Sequence, residues 1–458
     1  IQWFTSIKFI QFIEWDKHKI NLLDTPGDSN FTYDITCSLS VVDNALVVID
    51  SVGGVEFQTQ KVWEIADAYA LPRIIFINRM DRERADFGKA LESVKAKLKK
   101  KGTPVCLPIG AEDKFQGIVD LIAMKAYTFA DNKGVGKAVD IPADLLEEAN
   151  ALRSSMVEDI AEADENLMNK YLEEGELSAD EIKAGLRKGV ISGGIVPVLC
   201  GSAAKGIGVA LLMDLAVSAF ASPVDRGPVK GTKPGTQDVE ERKPSEDEAF
   251  SAIVFKTIAD PYAGRLTLFR VYSGKLSSDS AVYNSSKKIT EKFGHIFFLE
   301  GKNQKQAEVL IPGDIAGVAK LKETATGDTL CNEKSPVVFA RVEVPPPIMS
   351  FAVEPKSRGD EDKIASSIHR LVEEDPTIVF TRNTQTKEMI LSGMGQVHIE
   401  VNIEKMKRKF GVEVNLNTPK VPYLETIKGK TNVQGRYKKQ SGGRGQFGDC
   451  TIDIEPLP

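Results

Sequence analysis

The chain carries no G-x-x-x-x-G-K-[ST] segment, so the loop and Lys that cradle nucleotide phosphates in P-loop proteins are missing from it. It has no run of 18 or more apolar residues, and no membrane-spanning helix is expected. Its five cysteines, Cys37, Cys106, Cys200, Cys331 and Cys450, never form a C-x-x-C pair. An odd, scattered set argues against a disulfide frame and for reduced thiols in a cytoplasm. The four histidines, His18, His295, His369 and His398, have no Cys or His partner at ligand spacing, which speaks against a metal centre. A basic excess is also lacking: 59 Lys and Arg face 65 Asp and Glu, a net charge of −6. Contact with a polyanion must therefore be local. There is no initiating Met. The segment Ile1 to Trp15 carries Lys8, Gln11 and Glu14 and no small-residue cleavage site, so it reads as a strand pair rather than a signal peptide. The expectation is a piece of a longer protein.

What is present starts with Lys19-Ile20-Asn21-Leu22-Leu23-Asp24-Thr25-Pro26-Gly27-Asp28. An apolar strand delivers an Asp to its carboxyl end, and a Pro-Gly turn follows. Alone this is a weak signal, because Asp, Pro and Gly are the usual turn residues. Asn78-Arg79-Met80-Asp81 ends a second buried strand, and Gly201-Ser202-Ala203 ends a third. Three polar signals at the C-terminal ends of apolar strands describe the ligand-binding edge of a parallel α/β sheet.

With 458 residues, 42% hydrophobic and 27% charged, the chain is expected to form several soluble domains. Apolar runs at 19–24, 45–50 and 73–78 alternate with helical patterns at 58–69 and 87–100, the mark of a doubly wound sheet. A later strand at 197–200 and a helix at 209–220 close it. Residues 105–195 interrupt the alternation. Within them, 142–181 hold 13 Asp or Glu against 2 Lys or Arg, around a stripe of Leu145, Leu146, Ala149, Leu152, Met156 and Ile160. This is either a solvated acidic helix pair or a docking face for a basic partner. The Pro-rich stretch 222–248 reads as a linker. Short alternating strands from Phe250 to Cys331 read as a β-barrel. After Pro345-Pro346-Pro347, the order β-α-β-β-α-β is the ferredoxin-like split unit. Glu373-Glu374-Asp375 reads as a solvated helix end, and Met394 and Met406 as core.

With these blocks in this order, the chain resembles elongation factor G, a ribosomal translocase among the translational GTPases. The resemblance rests on Asp24-Thr25-Pro26-Gly27, Val52-Gly53-Gly54-Val55, Asn78-Arg79-Met80-Asp81-Arg82 and Gly201-Ser202-Ala203. Gly393-Met394-Gly395-Gln396-Val397-His398 and Lys439 to Gly448 complete it. It implies a GTP-binding domain over 1–221 with an inserted subdomain at about 105–195, the GTPase-type sheet lacking its first strand, P-loop and helix. It further implies a barrel domain over 249–335, a ferredoxin-like domain over 346–420, and the start of a fourth, ribosome-contacting domain over 421–458.

By that likeness Asp24 would hold Mg²⁺ through water, and Gly27 would offer its N–H to the γ-phosphate of GTP. Asn78 and Asp81 would read guanine, since an ionised carboxylate accepts from both N1–H and the exocyclic amine. Arg79 stands where the family usually has Lys; either stem can cover the base, and the planar guanidinium can stack on it. Ser202 and Ala203 would add backbone contacts. Asp28 replaces the His that positions the attacking water, and a carboxylate there repels the phosphate unless a cation intervenes. Between Glu425 and Asp449 stand six basic residues and no acidic one. Of these, Arg436, Lys438, Lys439 and Arg444 would contact RNA phosphates, with a solvated inter-strand loop as the alternative. The implied function is a monomeric, cytoplasmic GTPase that promotes translocation. It would bind GTP or GDP with Mg²⁺, touch ribosomal RNA and proteins, and meet the tRNA–mRNA complex indirectly. The alternatives are an elongation factor G-like ribosome-binding protein with little GTPase activity, or a recycling or protection factor. Without the P-loop contacts, each about 1.5–3 kcal/mol, these residues by themselves are expected to hold GTP poorly.

Overall fold

The computed structural model describes residues 9–129, 134, 136–260, 264–301, 303–356 and 361–456; the expectations for residues 1–8 lie outside them. The first structural unit is a parallel sheet of β3 (Ala45–Asp50), β4 (Arg73–Asn78), β5 (Gly102–Pro104) and β10 (Val196–Cys200), in the order β3-β4-β10-β5. Strands β4 and β10 are buried on both faces, as crossover helices require. The helices α2 (Phe57–Ala68), α3 (Phe87–Leu98) and α7 (Val209–Ala219) supply the cover. Asp86 starts α3 by accepting from the Lys89 N–H, which satisfies one of the free donors of a helix N-terminus.

The run ending in Asp24 departs from expectation. It forms β2 (His18–Asp24), which pairs only with β1 (Phe9–Trp15) in a separate two-stranded ribbon. That ribbon is held largely by the barrel. Ile10 joins the barrel's Ile253, Phe255 and Phe297 in one core cluster. Phe12 meets Phe298 edge-on at 5.6 Å, and Lys19 pairs with Asp314 at 2.6 Å. Strand β3 is consequently the edge of the parallel sheet, with Leu46 and Val48 exposed.

The insert is a four-stranded antiparallel sheet, β6 (Cys106–Ile109), β7 (Gly117–Asp120), β8 (Lys125–Thr128) and β9 (Lys137–Val139). Three helices follow, not two: α4 (Leu146–Glu162), α5 (Glu165–Glu174) and α6 (Ala179–Ile191). Ala149, Met156 and Ile160 of α4 enter the same core as β4 and β10, while Leu146 stays exposed. The acidic stretch is thus an amphipathic layer on the main domain. The Pro-rich stretch is also ordered. Val229–Thr232 pairs with Val239–Arg242 on one side and with Val338–Phe339 on the other.

Eight antiparallel strands between Ser251 and Cys331 build the barrel sheet. The third unit has strands Met349–Pro355, Val379–Arg382, Met389–Gly393 and Val414–Asn417 with helices Glu361–Glu374 and Gln396–Phe410. Its antiparallel order, second-third-first-fourth, is that of the split unit. The last described unit is a hairpin of Thr431–Lys439 against Gln446–Ile454.

The acidic run at the end of the first helix of the third unit is solvated only at Glu373, which is exposed. Glu374 and Asp375 are buried, 3% and 4% exposed. Glu374 pairs with Lys405 at 3.0 Å and with Lys409 at 2.8 Å. Asp375 accepts from Thr377 Oγ1 at 2.6 Å and lies 2.7 Å from His398 Nε2. The Met394 N–H donates to His398 Nδ1 at 3.1 Å, so the hydrogen on Nε2 is directed at Asp375. Spacing alone missed this because its partners come from the far helix. Met406 is core, and Met394 is half-buried.

Charged contacts join the units. Lys256 on the barrel and Asp34 on α1 (Thr32–Leu39) form a buried ion pair, each 3% exposed. Thr257 Oγ1 donates to the carbonyl of Glu373 at 2.6 Å. Arg270 of the barrel donates to both carboxylate oxygens of Asp43, at 2.7 and 2.8 Å, and to the Val41 carbonyl. Burial alone would lower the Lys256 pKa, but Asp34, Asp375 and Glu374 outweigh it and the net shift is upward.

Lys256→Met leaves Asp34 without its counter-charge, and the expected loss is about 3–5 kcal/mol. Faster amide exchange in α1 and in helix Glu361–Glu374 would show it; unchanged exchange would exclude the junction role. Burial pushes the Glu374 carboxyl up, but Lys405, Lys409 and Lys256 overcome this and hold it at about 2, below its ordinary 4.5. A depressed carboxylate contributes stability above its unfolded pKa and loses it as pH falls. The third unit is therefore expected to weaken between pH 4.5 and about 2, as read by denaturant titration at each pH, and Glu374→Gln is expected to flatten that dependence.

Candidate functional site

Strands β4 and β10 run in parallel register, Ile77 beside Cys200, so their following loops emerge side by side. Asn78 joins those loops. Its Oδ1 accepts from the Arg79 N–H at 2.8 Å and from the Ala203 N–H at 3.0 Å. The Met80 N–H donates to the Gly201 carbonyl at 3.1 Å. Position 201 admits only glycine, because a Cβ there would lie 2.3 Å from the Ile207 carbonyl oxygen and 2.7 Å from the Phe76 ring.

Asp81 stands beside this knot, with Lys205 Nζ 3.6 Å from its carboxylate. Burial raises the Asp81 pKa, but Ser202 and Lys205 outweigh it and the net shift is downward. The group is an ionised acceptor at neutral pH, suited to a ligand that presents two adjacent N–H donors. The amides of Ser202 and Ala203 are engaged within the loop. The Ser202 N–H donates to Ile207 O and the Ala203 N–H to Asn78. Both amides hold the loop closed in this conformation.

The structure brings Asn78, Arg79, Asp81, Ser202 and Ala203 together. Asp24, Gly27 and Asp28 follow the separate ribbon, and it is the next residues, Asn30 and Phe31, that touch the third unit. Asp24 is the exposed last residue of β2. A Cβ at Gly27 would meet nothing within 4 Å, so this conformation leaves open space there. Asp28 caps the short turn Ser29–Phe31, its Oδ1 accepting from the Asn30 N–H at 2.8 Å and from Asn30 Nδ2 at 2.6 Å. Phe31 meets His398 edge-on at 5.6 Å.

Of the basic residues near the end of the chain, Arg436 and Lys438 share one face of the hairpin with their register partners Asp449 and Phe447. The Arg436 guanidinium lies 5.5 Å from the Phe447 ring. Lys439 is on the opposite face, and Arg444 is in the connecting turn. Sequence reasoning missed Asp50, whose Oδ2 lies 3.0 Å from Arg79 Nη1. The available signal was that the apolar run 45–50 ends in an acid.

Comparison with known proteins returns four family models in chain order. They are the elongation factor Tu GTP binding domain over 4–222, elongation factor G domain 2 over 249–333, elongation factor G domain III over 344–418 and elongation factor G domain IV over 419–458. A protein from Thermus thermophilus of known crystal structure superposes with a TM-score of 0.82 at 31% identity. The match covers 97% of this chain and 64% of that one. The chain thus spans less than two thirds of the length of this structural relative.

Asn78→Ala removes the acceptor of two amides, and the loop 201–206 is expected to lose about 1–3 kcal/mol of local protection. Amide exchange of Ala203 and Arg79 is the measurement; protection equal to that of the parent protein would contradict it.

Proposed function

The chain belongs to the elongation factor G family of translational GTPases, and we propose that it binds GTP and hydrolyses it on the ribosome to promote translocation. The observation that carries this reading is the knot at the β4 and β10 tips, where Asn78 ties Ala203 to Arg79 beside the ionised Asp81. Asn78 holds the base-facing loops, and Asp81 accepts guanine N1–H and the exocyclic amine. Adenine offers no such donor pair, and an unsatisfied carboxylate facing it costs about 1–3 kcal/mol.

Asp24 is the carboxylate we assign to Mg²⁺ through water. A carboxylate is the hard oxygen donor that Mg²⁺ takes, and one such group beside substrate phosphates is the usual protein share of its coordination. Bound Mg²⁺ supplies charge neutralisation along the phosphates. The chain's own part is positioning, through Gly27 toward the γ-phosphate and Asp28 beside it. Arg436, Lys438, Lys439 and Arg444 are assigned to RNA phosphates, with Tyr437 and Phe447, both exposed, available for base stacking. A cytoplasmic setting is part of the same proposal.

A second reading is favoured by Asp28. Its Oδ1 is committed to Asn30, an arrangement that caps a turn rather than orienting water. This favours a ribosome-binding factor with slow hydrolysis. Turnover of GTP by the full-length protein, with and without ribosomes, separates the two readings; stimulation by ribosomes supports the first. Asp28→His is expected to raise stimulated turnover by roughly tenfold or more. A rate equal to or below that of the parent would discard the assignment of position 28.

A further inference from the structure

Arg79 is held at both ends by the strand beside it. Its backbone is left-handed, φ 66°, a conformation that costs a non-glycine residue about 1–2 kcal/mol and persists only where surroundings impose it. The surroundings are the end of β3. The buried Ser51 hydroxyl donates to the Arg79 carbonyl at 2.8 Å, and the Ser51 N–H donates to the Asn78 carbonyl at 3.0 Å. Asp50, the register partner of Asn78, takes the side chain. Its Oδ2 accepts from Arg79 Nη1 at 3.0 Å, while its Oδ1 accepts from the N–H groups of Val52 and Gly53 at 3.0 and 3.1 Å. Burial raises the Asp50 pKa, but the Gly53 and Val52 amides and Arg79 outweigh it and the net shift is downward. The carboxylate is therefore charged and fixed, while the Arg79 side chain remains half exposed.

We propose that Asp50 is a positioning residue for nucleotide binding, holding the edge of the Arg79 guanidinium so that its flat face covers the guanine base. Guanidinium hydrogen bonds lie in the plane of the group, so a carboxylate at one edge leaves both faces open. A Lys ammonium has no such plane. The Asp50 carboxylate and the Arg at position 79 therefore work as a matched pair, and the Val52-Gly53 turn that anchors Asp50 becomes part of the base site. This assignment rests on residues 78–81 reading guanine.

The test is a cycle of Asp50→Asn, Arg79→Ala and the double variant in the full-length protein, followed by release of a fluorescent GDP analogue. Asp50→Asn is expected to speed release about three- to fivefold, the range of a half-exposed cation–base stack. In the Arg79→Ala or Arg79→Lys background it is expected to change nothing further. The nucleotide-free thermal transition is expected to stay where it is in the parent. Release unchanged by Asp50→Asn overturns the proposal. So does an equal acceleration in the Arg79→Ala background, or a lowered transition with no change in release. A parent protein that binds no GDP overturns the guanine reading itself, and the pairing falls with it.

Discussion

A charge buried among protein atoms persists only where another charge answers it, and the arrangement of the first three units depends on that constraint. Lys256 comes from the barrel, Asp34 from the helix that follows residues 24–28, and Glu374 and Asp375 from the third unit. None of these residues can be moved alone without stranding a partner in a medium that solvates ions poorly. The segment between β2 and α1 is therefore gripped from two sides. Its Asn30 also packs closely on the third unit, since a Cβ added at Gly395 would sit 2.0 Å from Asn30 Oδ1. A shift of that segment has to be matched by the barrel and the third unit, because the contacts are ionic and close-packed rather than greasy.

Much of this architecture was legible in the sequence. Buried runs such as Arg73–Asn78 are apolar from their second residue until their last, and the split unit announced itself by element order. Placement of the Asp24 strand was not legible. Its apolar side chains suit a central parallel strand as well as a ribbon lying on a barrel, and only Ile10, Phe12 and Lys19 finding barrel partners decides the matter. Glu374 and Asp375, two of the three acids at 373–375, were misread for a related reason. Helix-end carboxylates are usually solvated, and the cations that bury Glu374 lie some thirty residues downstream at Lys405 and Lys409.

The candidate site divides in the same way. Asn78 and Asp81 were visible because strand-end polar residues at fixed spacing carry a chemical meaning. The part played by Asn78, tying two loops through one oxygen, needed the register of β4 against β10. Asp50 was invisible as a partner for Arg79 because its value comes from standing next to Asn78 across the sheet, a relation that sequence distance hides. Asp28 went the other way: the sequence marked the substitution, and the structure gave the substituted group a different occupation.

The hairpin over 431–454 is exposed at every residue on both strands. Val433, Tyr437 and Ile452 lie on one side and Asn432, Gln434 and Arg436 on the other, with no described element laid over either. A two-stranded ribbon is marginal by itself, and with the apolar Val433, Tyr437 and Ile452 on one side and polar side chains on the other, the apolar side is the one that gains most from being covered.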